Sequence, residues 1–192
     1  MSIRQVTFSI IKEIIQTALI SAGIFFFVYI FLVQPHKIKG ASMFPNLRDS
    51  ELLLTEKVYY YIQKPKRGDV IVFQAPNSNN VDFIKRIIAQ PRDTIKIENG
   101  IIYVNNQKLD EPYETQDTQG DLNVKIADNQ YFVLGDNRSA SSDSRSFGTI
   151  DRKSIKGKAW LIYWPIVKSN NFPGARFISG VDYGIPDSFE DY

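Results

Sequence analysis

Among the many serines and lysines of this sequence, two are candidates for covalent chemistry. Ser42 lies in "GASMFPNL", Gly40 to Leu47, and Lys85 lies in "VDFIKRII", Val81 to Ile88. A serine hydroxyl becomes a nucleophile only beside a base. The chain has one histidine, His36, and no cysteine. Thiol catalysis, disulfides and cysteine-ligated metals are therefore excluded. His36 has no evident carboxylate to orient it, which argues against a Ser-His triad. A lysine can act as the base once desolvation removes its proton, whereas arginine stays charged in nearly any site. A Ser-Lys pair is the serine-hydrolase option left. Each residue also has a plainer role. A serine before a proline bend often only holds a turn, and a lysine often packs its stem and sends its head to water. If Val81–Ile88 is a strand, Phe83, Lys85 and Ile87 share one face and Ile84, Arg86 and Ile88 the other. One cation must then project among apolar neighbours unless the strand lies at an open edge.

Two further polar clusters stand out. "RGDVIVF" runs from Arg67 to Phe73 and "GDNRSASSDSRSFG" from Gly135 to Gly148. The second is a solvated loop or a brace for a site. Asp143 and Arg145 are placed to pair and hold its shape.

The elements that must position these residues read as short strands. "ELLLTEKV", "GDVIVFQAP", "VDFIKRIIAQPRD", "NQYFVLGDN" and "IKGKAWLIYWP" each hold a short apolar or alternating run bounded by turn residues. "DTIKIENGIIYVNNQKL" gives two strands around Asn99-Gly100, a strong hairpin signal, with a further strand after Asn106. "LDEPYETQDTQGD", Leu109 to Asp121, is a polar excursion. No long amphipathic helix and no internal repeat follows the N-terminal region. The expected fold class is mostly β with long loops.

Before this domain lies an uncharged run, Ile14 to Pro35. Its length matches the roughly 20 apolar residues that cross a bilayer as a helix. It is longer than a signal-peptide core and no small-x-small site closes it, so it reads as a retained anchor. The expected order is a short tail, 1–13; the anchor, 14–35; a β catalytic domain, 36–170; and an acidic tail, 171–192, whose last stretch, Val181 to Tyr192, is expected to be mobile. Arg4 and Lys12 before the run nearly balance Lys37 and Lys39 after it, so charge does not set the orientation. Phe44 and Tyr59–Tyr61 suit a lipid interface or a β core. The net charge of +2 suggests no nucleic-acid surface.

Taken together, the four clusters resemble the motifs of type I signal peptidases, membrane-anchored Ser-Lys proteases, from the anchor to about Pro165. Ser42-Met43-Phe44-Pro45-Asn46-Leu47 is similar to the family's S-M-x-P-T-L, with Asn46 for threonine. Arg67 to Phe73 matches R-G-D-[IV]-V-x-F. Lys85-Arg86-Ile87-Ile88 with "AQPRD" is similar to K-R-[IV]-[IV]-G-x-P-G-D, with Ala89 and Arg92 for glycines. Gly135 to Arg145 matches G-D-N-R-x-x-S-x-D-S-R.

The resemblance implies a signal-peptidase-like fold of coiled antiparallel β sheets behind one transmembrane helix. It implies that Ser42 is the nucleophile, its backbone N–H part of the oxyanion hole, and Lys85 the general base. Ser141 would orient the lysine, and Asp143 and Arg145 would form a supporting pair. Gly40 stands where some members have an extra oxyanion hydroxyl. A substrate would lie against Lys39, Gly40 and Ala41 on one side and Asp82, Phe83 and Ile84 on the other, with Met43 and Phe44 facing lipid or the pocket rim. The substrates implied are exported preproteins cut after small-x-small (Ala-x-Ala) sites, with membrane lipid as a further partner and no cofactor or metal. The location implied is the cytoplasmic membrane, single-pass, with the catalytic domain outside. A Ser-Lys protease of narrower substrate range, an inactive anchored β binding module and a self-cleaving regulator are the competing readings. Arg92 must either keep φ negative or accept strain.

Overall fold

The computed structural model describes residues 3–76, 78, 81–113 and 116–187. The outermost residues of the two expected tails, 1–2 and 188–192, lie outside them.

The N-terminal segment is a long helix, α1 (Ile3–Phe27), followed by a π-helical turn, Val28–Leu32. Thr7–Phe27 has a mean hydropathy of 1.7 and none of it is buried against the rest of the chain. A helix apolar on all sides and uncovered by protein suits lipid rather than a core. Its limits differ from those of the uncharged run. The helix takes in Lys12 and Glu13, and Val33–Pro35 at the other end belong to the first strand. A proline in the helix interior would lose a backbone donor and clash one turn back, whereas an edge strand accepts it.

Among the described residues, twelve strands form two sheets. The larger contains β1 (Val33–Lys37), β2 (Leu52–Glu56), β3 (Val70–Gln74), β4 (Asp82–Ala89), β9 (Gln130–Leu134), β10 (Ile150–Asp151), β11 (Ile155–Trp164) and β12 (Arg176–Phe177). Its order is β1-β2-β11-β3-β4-β9-β10, with β12 also on β11, and every pairing is antiparallel. Register shifts at Ala159/Leu161, Ile162/Trp164 and Ile155/Gly157 curl β11, since bulges increase local twist. The smaller sheet has the order β7-β6-β5-β8, from β5 (Thr94–Glu98), β6 (Ile101–Val104), β7 (Gln107–Lys108) and β8 (Leu122–Lys125). The Asn99-Gly100 hairpin forms as expected: Glu98 faces Ile101, and both loop residues have positive φ, 51° and 80°. Helices α2 (Tyr59–Ile62) and α3 (Ser144–Phe147) are single turns.

Apolar residues cover both faces of the larger sheet. Leu53, Val70, Val72, Ala159 and Ile162 pack with Ile38, Met43 and Leu47. Ile71, Phe73, Ile87, Val133 and Ile155 form a second cluster with Tyr60, Tyr131 and Ile150. A third joins the smaller sheet to Ile88, Ala89, Phe132 and Leu134.

Two expectations need correction, and the alternative left open at Arg92 is decided. Met43 does not face lipid or a rim: it is 2% exposed, a core side chain that anchors the turn bearing Ser42. Its neighbour Phe44 is 48% exposed, with the Arg48 guanidinium 5.6 Å from its ring centre. The described part of the C-terminal tail is not loose. It supplies β12, and in its last stretch Val181 N–H donates to the Gly68 carbonyl and Arg67 donates to the Ile185 carbonyl. Arg92 takes a φ of 71°, the left-handed region, where its N–H donates to the Ile126 carbonyl and its Nε to Asp128.

Candidate functional site

Strand β4 places Lys85. It lies opposite Ile71 of β3, while Phe83 faces Phe73, so Lys85 shares a face with apolar side chains as alternation requires. Pairing with β9 begins only at Arg86, so Asp82–Lys85 have a neighbour strand on one side alone. Among the described residues, β1 is likewise paired only with β2. Between these two open edges lies a cleft of about 510 Å³ running from His36 past Ser42 to Lys85. His36 and Asp82 approach to 3.8 Å at its far end. Lys39, Gly40 and Ala41 line one wall and Asp82, Phe83 and Ile84 the other.

The loop from Ile38 to Glu51 carries Ser42. Ile38 N–H donates to the Glu51 carbonyl and Ser50 N–H returns to the Ile38 carbonyl, closing the loop at its base. Inside it, Phe44 N–H bonds the Ala41 carbonyl and Leu47 N–H the Met43 carbonyl. Gly40 has a φ of 88°, a conformation that suits glycine, and its N–H donates to Asp49 at 2.7 Å. That bond, with the Ser50 hydroxyl, holds the Asp49 carboxyl below its usual range.

These elements bring the two candidate residues together. Lys85 Nζ lies 2.7 Å from Ser42 Oγ and 3.1 Å from the Ile84 carbonyl. Lys85 is 4% exposed, with the Phe83 ring centre 5.3 Å from Nζ. Burial lowers its pKa to about 8, against the opposing pull of Asp143 and Asp136. Neither carboxylate forms an ion pair with it; Asp143 is bound to Arg145 and Asp136 to Arg86. Desolvation without a bonded counter-charge favours the neutral amine, and a neutral amine beside a hydroxyl can take its proton.

The Gly135–Gly148 segment lies beside this pair and is held by its own bonds. Arg145 grips both Asp143 oxygens, at 2.8 and 2.9 Å, and donates to the Arg138 carbonyl. Asp143 Oδ2 accepts from Gly135 N–H. Ser141 Oγ is buried with no hydrogen-bond partner, and its expected contact with Lys85 does not form here.

Several contributors were not singled out in the sequence. Asn137 N–H donates to the Ser42 carbonyl at 3.0 Å, and its side-chain amide to the Ala41 carbonyl. A Cβ on Gly135 would overlap the Ser42 carbonyl and the Ser141 side chain, so this position requires glycine. Asp136 accepts two bonds from Arg86 and one from Asn46. All lie within matched motifs, which was their only signal; nothing in the local pattern distinguished them from turn residues. Among the described residues, no group of three or more His, Asp or Glu side chains is placed to hold a metal ion.

The family model for signal peptidase, peptidase S26, matches residues 11–164. Signal peptidase IB of Staphylococcus aureus (strain COL) is 38% identical over 176 residues, covering 80% of this chain and 91% of the relative. Probable signal peptidase I-1 of Synechocystis is 36% identical, covering 88% and 90%. Signal peptidase I of Bacillus licheniformis is 33% identical, covering 80% and 88%. With the family match spanning most of its length, this chain belongs to the signal peptidase family, peptidase S26.

Proposed function

We propose that this protein is a serine endopeptidase that removes signal peptides from exported preproteins, with Ser42 as nucleophile and Lys85 as general base. The observation that carries the reading is the 2.7 Å contact between a buried lysine amine and a serine hydroxyl. Neutral Lys85 takes the Ser42 proton as Oγ attacks the scissile carbonyl. The backbone N–H of Ser42 donates to the developing oxyanion. The ammonium so formed protonates the leaving amine. Lys85 then activates water, which releases the acyl-enzyme.

The two open strand edges suit an extended peptide, which pairs through its backbone and places alternate side chains in pockets. Small residues flank the nucleophile at Gly40 and Ala41, leaving room for close backbone approach and for small side chains before the cut. Helix α1 would anchor the enzyme, with the β domain on the extracytoplasmic face of the cytoplasmic membrane and its exposed aromatics at the lipid. Asp143 and Arg145 would support the site by holding the Gly135–Gly148 segment, and the tail 1–13 would lie inside.

Incubation of the full-length enzyme in detergent with a preprotein carrying an Ala-x-Ala site tests this directly. Cleavage after the second alanine by wild type, and its loss in Ser42→Ala, is the expected result. Undiminished cleavage by Ser42→Ala would contradict the reading.

A further inference from the structure

The family match ends at Trp164, yet the chain beyond it returns to the loop that carries Ser42. Glu51 sits at the base of that loop and is 0% exposed. Its carboxylate accepts the Arg48 N–H at 2.9 Å, tying the loop's outgoing end. A carboxylate buried this deeply requires a cation. Arg176, which begins β12, supplies it. Its Nη1 and Nη2 reach the two Glu51 oxygens at 2.7 and 2.8 Å, a bidentate pair. The same Nη2 donates to the Asn46 carbonyl at 2.6 Å. Asn46 is the residue whose side chain also reaches Asp136, the partner of Arg86 on β4. One guanidinium thus joins the base of the Ser42 loop to its far end, and through Asn46 to the strand that carries Lys85.

The rest of the segment is fastened along the back of the domain. Val181 N–H donates to the Gly68 carbonyl, and the Tyr183 hydroxyl meets that of Tyr113 at 2.5 Å. Arg67 donates to the Ile185 and Pro186 carbonyls. Gly68 has a φ of 84° and a Cβ there would overlap Val181, so the match between segment and domain is close.

We infer that residues 176–187 form a strap that holds the nucleophile loop in register with Lys85, and that Arg176 is the positioning residue through which it acts. This rests on the Ser42–Lys85 reading. The loop's own hydrogen bonds fold it, but its charged base at Glu51 is neutralised only when the strap docks. Loss of the strap would let Ser42 drift from Nζ and let water reach the amine. A misplacement of about 1 Å can cost on the order of 100-fold in rate.

The test uses full-length enzyme in detergent and a presequence peptide, with wild type, Arg176→Gln and Arg176→Lys compared for kcat, KM, pH profile and melting temperature. Arg176→Lys keeps one charge on Glu51 and gives up the fork. With melting unchanged, it is expected to lose about 10-fold in kcat at similar KM. Its acid limb should move upward as Lys85 becomes hydrated. Arg176→Gln should lose about 100-fold, measured below its melting transition. Wild-type kcat and an unmoved acid limb in a folded Arg176→Lys would overturn the proposal, as would losses matching only the unfolded fraction. Failure of wild type to cleave would instead reject the proposed function itself, so the two failures are distinguishable.

Discussion

Lys85 and Arg86 are adjacent on β4, both cationic side chains and both 4% exposed, yet they sit in opposite surroundings. Arg86 faces a complete set of partners. Both Asp136 oxygens lie at 2.8 Å, the Gly68 carbonyl at 2.8 Å, and the Tyr113 ring centre 4.1 Å from its guanidinium carbon. These bonds outweigh burial and raise its pKa. Lys85, on the other face, has a hydroxyl, a carbonyl and an aromatic ring but no bonded carboxylate. Burial dominates and its pKa falls to about 8. The difference teaches that burial alone does not make a charge reactive. What separates a structural cation from a base is whether the protein supplies its counter-charge. The residue types follow suit, since arginine binds a carboxylate as a fork and lysine gives up its proton more readily.

Three expected outcomes would break or sharpen this contrast. The largest is on Lys85. Replacing it by Met should lower kcat/KM by about 10⁴ or more, as for residues that act as a catalytic unit; presequence cleavage measures it, and retained activity would end the assignment. Next is Asp136→Asn, which leaves Arg86 buried and unpaired. It should cost about 3–5 kcal/mol of stability, read by denaturant titration, and a variant as stable as wild type would remove the structural half of the comparison. The third is again on Lys85→Met, now read as stability. Folded Lys85 releases its proton near pH 8, its unfolded counterpart near ~10.4. Between these values the unfolded chain binds more protons, so wild-type stability rises with pH there. Below pH 8 the folded state bears the full cost of a buried ammonium. Lys85→Met should therefore be more stable than wild type at pH 6–7, by up to about 3 kcal/mol, and the advantage should shrink toward pH 10. A variant less stable at every pH would show that the lysine is held by partners after all.

The sequence carried the strands around the site because β3 and β4 are dense in Val, Ile and Phe and end in turn residues. The Asn99-Gly100 hairpin was legible for a similar reason: its turn is local chemistry. β8 was not, because Leu122–Lys125 is an edge strand with Asn123 and Lys125 exposed, defined by pairing with β5 rather than by its own pattern. The Ser42–Lys85 pair was legible only through four motifs taken in order. Alternation placed Lys85 among apolar side chains but could not say what stood opposite. Met43 was misplaced because adjacent hydrophobes in a turn give no periodicity to tell core from surface. The Glu51–Arg176 pair spans 125 positions, and no local pattern announces such a contact.

The central claim, that a desolvated Lys85 is the base, is tested most directly by the pH dependence of kcat/KM for presequence cleavage by the full-length enzyme. The neutral amine is the active form, so activity should fall as pH drops, about tenfold per unit, through an apparent pKa near 8. An acid limb centred near ~10.4, the value of a solvated lysine, or no dependence between about pH 6 and 10, would contradict the account.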